Sequence, residues 1–220
     1  PPTRGVDWGD NGVWRTLHQH TWDATHSAVL GSWNQLNLRA YKCNEILASN
    51  PSPQQAAEAK FLRAFYRYHV MDLFGQMPNR EVDEGVNVNP KVSTRSEAFD
   101  LIVKDLEEAL PGLPATGPVA TNSVATQAAA NTLLARLYLN KAVYKATRPE
   151  GPYQFDAADM NKVIQYCDAV TAAGYGLETE YFTNFSTGAT KEVIFTSAEG
   201  TPQNRWFMTL HYNQNPSGWN

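Results

Sequence analysis

The chain has 220 residues, 42% hydrophobic and 18% charged, with a formal net charge of −4. That is enough apolar material for one sizeable folded core. The acidic balance excludes the basic face a nucleic-acid binder needs, and no apolar run approaches the roughly 18–20 residues of a spanning helix.

The first stretch, residues 1–24, reads as an irregular, aromatic-rich segment. It carries Trp8, Trp14 and Trp22 beside Arg4, Arg15, Asp7, Asp10 and Asp23, with Gly5, Gly9 and Gly12 between them. Within it Val13, Trp14 and Leu17 fit a short buried helical face. Val29, Trp33, Leu36, Ala40, Cys43 and Leu47 then alternate steps of four and three, which predicts a helix from about Thr25 to Ala48. Ser52 and Pro53 open the next helix, and Gly75 with Pro78 closes it. Its body, "EAKFLRAFYRYHVMDLFG", is apolar around most of its circumference. Such a helix needs cover on more than one side. Lys60, Arg63 and Arg67 share a narrow stripe that reads as its polar edge.

Thr94 followed by Glu97 is a capping box, and Ala98, Ile102, Leu106 and Ala109 stack on one face until Pro111 and Gly112. Residues Ser123 to Lys145 predict a fourth long helix with a polar stripe of Thr132, Arg136 and Asn140. A fifth, about Ala157 to Ala173, buries Met160, Val163, Ile164, Cys167 and Val170 and ends at Gly174. Both cysteines, Cys43 and Cys167, fall on apolar faces, as buried free thiols or a disulfide. Glu192–Ser197 has strand composition, and alternation from Arg205 to Tyr212 suggests the second arm of a hairpin.

The expected fold is mainly α: a degenerate tetratricopeptide-like helical-repeat stack with a small β-hairpin addition near the C-terminal end. It divides into an irregular segment (1–24), a helical scaffold (25–175) and a strand and loop segment (176–220). The chain opens without Met and closes in a turn-rich phrase, which reads as a piece of a longer protein.

Several phrases taken together resemble the SusD/RagB family of surface glycan-capture lipoproteins. "AKFLRAFYRYHVMDLFGQMP" is similar to that family's signature helix. "SWNQLNLRAYKCNEIL" resembles its Trp–Tyr–Asn helix, with Trp33, Tyr41 and Asn44 as counterparts. "AANTLLARLYLNKAVY", "VIQYCDAVTAAGYGLETEYFTNF", "KEVIFTS" and "HYNQNPSGWN" follow in the family's order. The resemblance implies a non-enzymatic protein without a cofactor, lipid-anchored at the extracellular face of the outer membrane. It implies an oligosaccharide or polysaccharide ligand, handed to a SusC-like TonB-dependent transporter, with the anchor and first helix before Pro1 and a further ligand-binding part after Asn220.

Sugar recognition needs flat aromatic faces for the C–H side of a pyranose and planar polar groups for its hydroxyls. The N-terminal segment supplies both. By the family's pattern Arg4 and Trp22 are the leading glycan-binding positions, with Asp7 and Trp8 beside them. Three other chemistries weigh less. His18, His20, Asp23 and His26 are metal-ligand types, but i and i+2 diverge on a helix. Asp7, Asp10 and Asn11 lack the alternation and closing Glu of a calcium loop. Glu81, Asp83 and Glu84 contain a carboxylate pair of glycosidase type but sit in a polar, solvated run. A second reading is a tetratricopeptide-like scaffold that grips peptides or protein partners.

Overall fold

The computed structural model describes residues 12–120, 122–148, 150–186 and 190–196. Arg4, Asp7, Trp8 and the expected strand at 205–212 lie outside the described residues. The element order is α1 (Val13–Gln19), α2 (Ser27–Ala48), α3 (Pro53–Phe74), β1 (Gln76–Asn79), β2 (Lys91–Thr94), α4 (Arg95–Ala109), α5 (Gln127–Leu139), α6 (Lys141–Tyr144) and α7 (Ala157–Ala172). Single 3-10 turns follow α4 and α7, at Leu110–Gly112 and Tyr181–Phe185. Among the described residues the protein is mainly helical, as expected, and carries one small antiparallel sheet.

Helix α3 is the hub. Its start is fixed locally: Ser52 Oγ accepts from the Gln55 N–H, and the Gln55 side chain accepts from the Ser52 N–H. Its end is fixed by Gly75 in the left-handed region (φ 71°), whose N–H donates to the Met71 carbonyl at 3.0 Å. Between these caps α2 packs on one side and α4 on the other. Phe61, Val70 and Met71 of α3, Ile102 and Leu106 of α4, and Leu134 and Leu137 of α5 are fully buried. Each contributes roughly 1.5–3 kcal/mol of burial. Small residues let the backbones close in. At Gly112 a Cβ would lie 2.7 Å from that of Ala57, so the turn after α4 rests directly on the start of α3.

Several expectations need correction. Arg63 and Arg67 do not form a solvated edge with Lys60. Lys60 pairs at the surface with Glu108 at 2.7 Å, whereas both arginines are buried between α3 and α4. The fourth helix starts at Gln127, with Thr126 as its cap, and breaks at Asn140. The Asn140 side chain turns back onto the Arg136 carbonyl at 2.9 Å, and α6 begins afresh. Trp14 is exposed rather than buried, and residues 13–19 are helical within a segment expected to be irregular. In α7, which packs chiefly on α5, Ile164 and Cys167 are exposed rather than buried, while Val163 faces the core as expected and Tyr166 joins it. Cys43 is buried, and burial pushes its thiol up to about 11. Both cysteines are free.

The sheet is also elsewhere. Residues 191–196 form no strand, although the Thr196 N–H bonds the Asn122 carbonyl at 2.9 Å. The antiparallel pair is β1 with β2, in register Gln76↔Thr94 to Asn79↔Lys91. Met77 and Ser93 point inward and are buried, while Gln76, Pro78 and Val92 face out. Thr94 ends β2 and at once caps α4 through the Glu97 N–H.

Two outcomes follow. Asp105→Asn, which leaves both buried arginines without their counter-charge, is expected to destabilise the fold by about 3–5 kcal/mol in urea unfolding; a loss under about 1 kcal/mol would mean the arginines re-solvate freely. Half-buried His69 packs edge-on to Phe65 at 4.7 Å. Its pKa is lowered by desolvation first and by Arg136, against a raising effect of Asp72. The folded state therefore favours neutral imidazole. That stability is full above the ordinary histidine value and is lost as pH falls through the lower folded value. The melting temperature should drop between pH 7.5 and 5.5, and less so in His69→Gln; identical slopes would reject the assignment.

Candidate functional site

The described part of the N-terminal segment is a braced turn. Helix α1 ends at His20, which adopts the left-handed conformation (φ 57°). The chain then turns through Trp22 and Asp23 into α2. Asp23 Oδ1 accepts from the Thr25 N–H at 2.8 Å and from the Thr25 hydroxyl at 2.6 Å. The Thr25 hydroxyl bond, foremost, lowers the Asp23 pKa. His26 caps α2: its Nδ1 accepts from the Ala28 N–H at 3.2 Å. Its Nε2 lies 3.2 Å from the Val13 carbonyl and 3.0 Å from the Thr16 hydroxyl. With Nδ1 accepting, the proton belongs on Nε2, so one imidazole ties α1 to α2.

This bracing leaves Trp22 43% exposed, its ring 5.1 Å from that of His20. An exposed indole on a fixed turn is suited to stacking. His26 is committed to structure. Among the described residues no three His, Cys, Asp or Glu side chains gather to hold a metal. Glu81 and Glu84 close a turn on each other, with the Glu81 N–H donating to Glu84 Oε2 at 3.0 Å.

A second feature was missed in the sequence. Between α2 and the outer face of the hairpin lies an open cleft of about 600 Å³. Trp33, Asn37 and Tyr41, at i, i+4 and i+8 on α2, form one wall. Gln76, Pro78 and Val92 form the other, and Arg67 lies at its base. The i+4 spacing of Trp33, Asn37 and Tyr41 was the available signal, but only the tertiary packing of the hairpin turns that face into a cleft.

Behind the cleft is a buried polar network. Arg63 Nε and Nη2 donate to the two Asp105 oxygens at 2.8 and 2.5 Å, a bidentate pair. Arg63 Nη1 donates to Asn44 Oδ1 at 2.8 Å, and Asn44 Nδ2 to the Arg80 carbonyl at 3.2 Å. Arg67 is less well served. Its Nη2 reaches Asn79 Oδ1 at 2.6 Å and its Nη1 reaches Asp105 Oδ2 at 3.4 Å, while its Nε has no partner. Desolvation, with repulsion from Arg63, lowers Arg67 to about 10. Arg80 folds its own loop, donating to the carbonyls of Gly85, Val86 and Val88.

The structure is thus a helical stack with an exposed tryptophan on a fixed turn and an open cleft beside the hairpin. A family model described as "starch-binding associating with outer membrane" matches residues 6–139. The chain belongs to this SusD-like family. Starch-binding protein SusD of Bacteroides thetaiotaomicron is 32% identical over 131 residues, covering 58% of this chain and 21% of that protein. SusD-like protein P2 of Formosa agariphila is 29% identical over 176 residues, covering 68% of this chain and 34% of that one. The chain thus spans about a fifth to a third of these relatives. A laminarin-binding SusD-like protein shares the fold, with a TM-score of 0.64 at 18% identity over 82% of this chain and 39% of that one. No helix among the described residues is long and apolar enough to cross a membrane.

His26→Ala removes the α2 cap and the tie to α1 together. It should cost about 1–2 kcal/mol in thermal unfolding; a neutral result would show that the turn is held without the imidazole.

Proposed function

We propose that this protein captures a glycan by aromatic stacking and hydroxyl hydrogen bonding, and performs no chemistry on it. The observation that carries the reading is membership of a starch-binding, outer-membrane-associated family across residues 6–139, a span that includes exposed Trp22 on its braced turn. Trp22 and Arg4 are the proposed main glycan contacts, with Asp7 and Trp8 beside them. Two relatives are described by their glucans, starch for one and laminarin for the other. Glucans are therefore the first ligands to test.

The finer reading follows from the family resemblance. The whole protein is lipid-anchored at the extracellular face of the outer membrane and delivers its glycan to a SusC-like TonB-dependent transporter. Residues 25–175 then serve as the scaffold, and residues 1–24 contribute to the ligand surface.

The test is affinity electrophoresis in native gels cast with starch, laminarin and other polysaccharides. Retardation by one or a few is expected, and Arg4→Ala/Trp22→Ala should weaken it at least tenfold, roughly 1.4 kcal/mol. Unchanged retardation in the double variant would remove the site assignment. No retardation by any glycan would favour a scaffold for peptides or protein partners.

A further inference from the structure

The buried network behind the cleft is unbalanced in charge. Two guanidinium groups, Arg63 and Arg67, share the single carboxylate of Asp105, and all three residues are at least nine-tenths buried. The formal sum is one positive charge. Arg63 takes both Asp105 oxygens at short range, so Arg67 holds the surplus: its Nη2 is met by the neutral Asn79 amide at 2.6 Å, its Nη1 makes one long bond to Asp105, and its buried Nε has no partner. Glu81 acts on Arg67 only from the exposed loop and makes no ion pair with it among the described residues. A buried charge without a close counter-ion is costly, and a carboxylate is the group that best matches a guanidinium fork.

The cleft in front of Arg67 has the other features of a sugar site. Its volume of about 600 Å³ falls within the range of small-ligand pockets, about 300–1,000 Å³. The half-buried rings of Trp33, which also meets Phe74 edge-on at 5.0 Å, and Tyr41 give the cleft the aromatic lining a pyranose can pack against. The Tyr41 hydroxyl and the Gln76 side-chain amide form no hydrogen bond among the described residues and are available to sugar hydroxyls.

We propose that the cleft between α2 and the β1–β2 hairpin holds an acidic sugar, a uronic acid residue whose carboxylate pairs with Arg67 while its ring lies against Trp33 and Tyr41. The proposal rests on the glycan reading above, and names a substrate class and a second place of contact separate from the Trp22 turn. Val92 closes the far wall with an apolar surface, suited to the C–H edge of the same ring.

The test is calorimetric titration of the full chain with a galacturonic acid trisaccharide and the matching neutral galactose trisaccharide, alongside starch and laminarin. The acidic sugar is expected to bind at least tenfold more tightly than its neutral counterpart, with the preference shrinking as salt rises. Arg67→Gln should abolish the preference. Because that residue is buried, Tyr41→Ala and Gln76→Ala, on the cleft wall, carry the test independently, and each should weaken acidic-sugar binding several-fold with an unchanged melting temperature. Equal affinity for the two trisaccharides would overturn the acidic-sugar proposal and leave glycan capture standing. A preference that survives intact in both wall variants would overturn the cleft as its seat. Failure of every glycan, acidic or neutral, would overturn both readings together.

Discussion

One carboxylate organises this molecule. Asp105 sits between α3 and α4 and takes a bidentate pair from Arg63 and a longer bond from Arg67. Through Arg63 it reaches Asn44 on α2, and through Arg67 it reaches Asn79 on β1. Four elements are thus placed by donors and acceptors of fixed direction rather than by apolar contact alone. Apolar burial of Phe61, Ile102 and Leu106 drives the helices together. It does not choose among rotations of one helix about another. The guanidinium fork does, because its donors lie in one plane and match a carboxylate in few orientations.

The network also explains where a ligand can be received. The side of the helical stack that carries it meets the hairpin, and there the packing leaves a cleft rather than a closed interface. The Trp22 turn lies at the other end of the same logic: a polar side chain, His26, satisfies a helix terminus and two neighbours so that an indole can stay exposed. At the turn the indole of Trp22 is exposed, whereas along the cleft the rings of Trp33 and Tyr41 stay half-buried.

Much of the scaffold was legible in the sequence because its signals are local. Ser52 with Gln55, Thr94 with Glu97, and Gly75 set helix ends through bonds spanning a few residues. The stripe Val29, Trp33, Leu36, Ala40, Cys43 and Leu47 faces the core, half or fully buried, as its spacing required. What escaped was tertiary. Arg63 and Arg67, three and seven residues after Lys60, read as a polar edge because their partner is 42 and 38 residues away. Strands Gln76–Asn79 and Lys91–Thr94 are four residues long, one holds Pro78, and residues 80–90 separate them, so no hairpin signature exists. The break at Asn140 depends on one side chain choosing the carbonyl behind it. Of the expected glycan positions, only Trp22 falls among the described residues, where it is exposed.

Thr94 is the last residue of β2 and the cap of α4, with no linker between strand and helix. The hairpin thus continues directly into α4, the helix that carries Asp105 a few turns on. Val92 of the cleft wall and Asp105 of the buried network therefore lie on one uninterrupted stretch of strand and helix, with Thr94 as its joint.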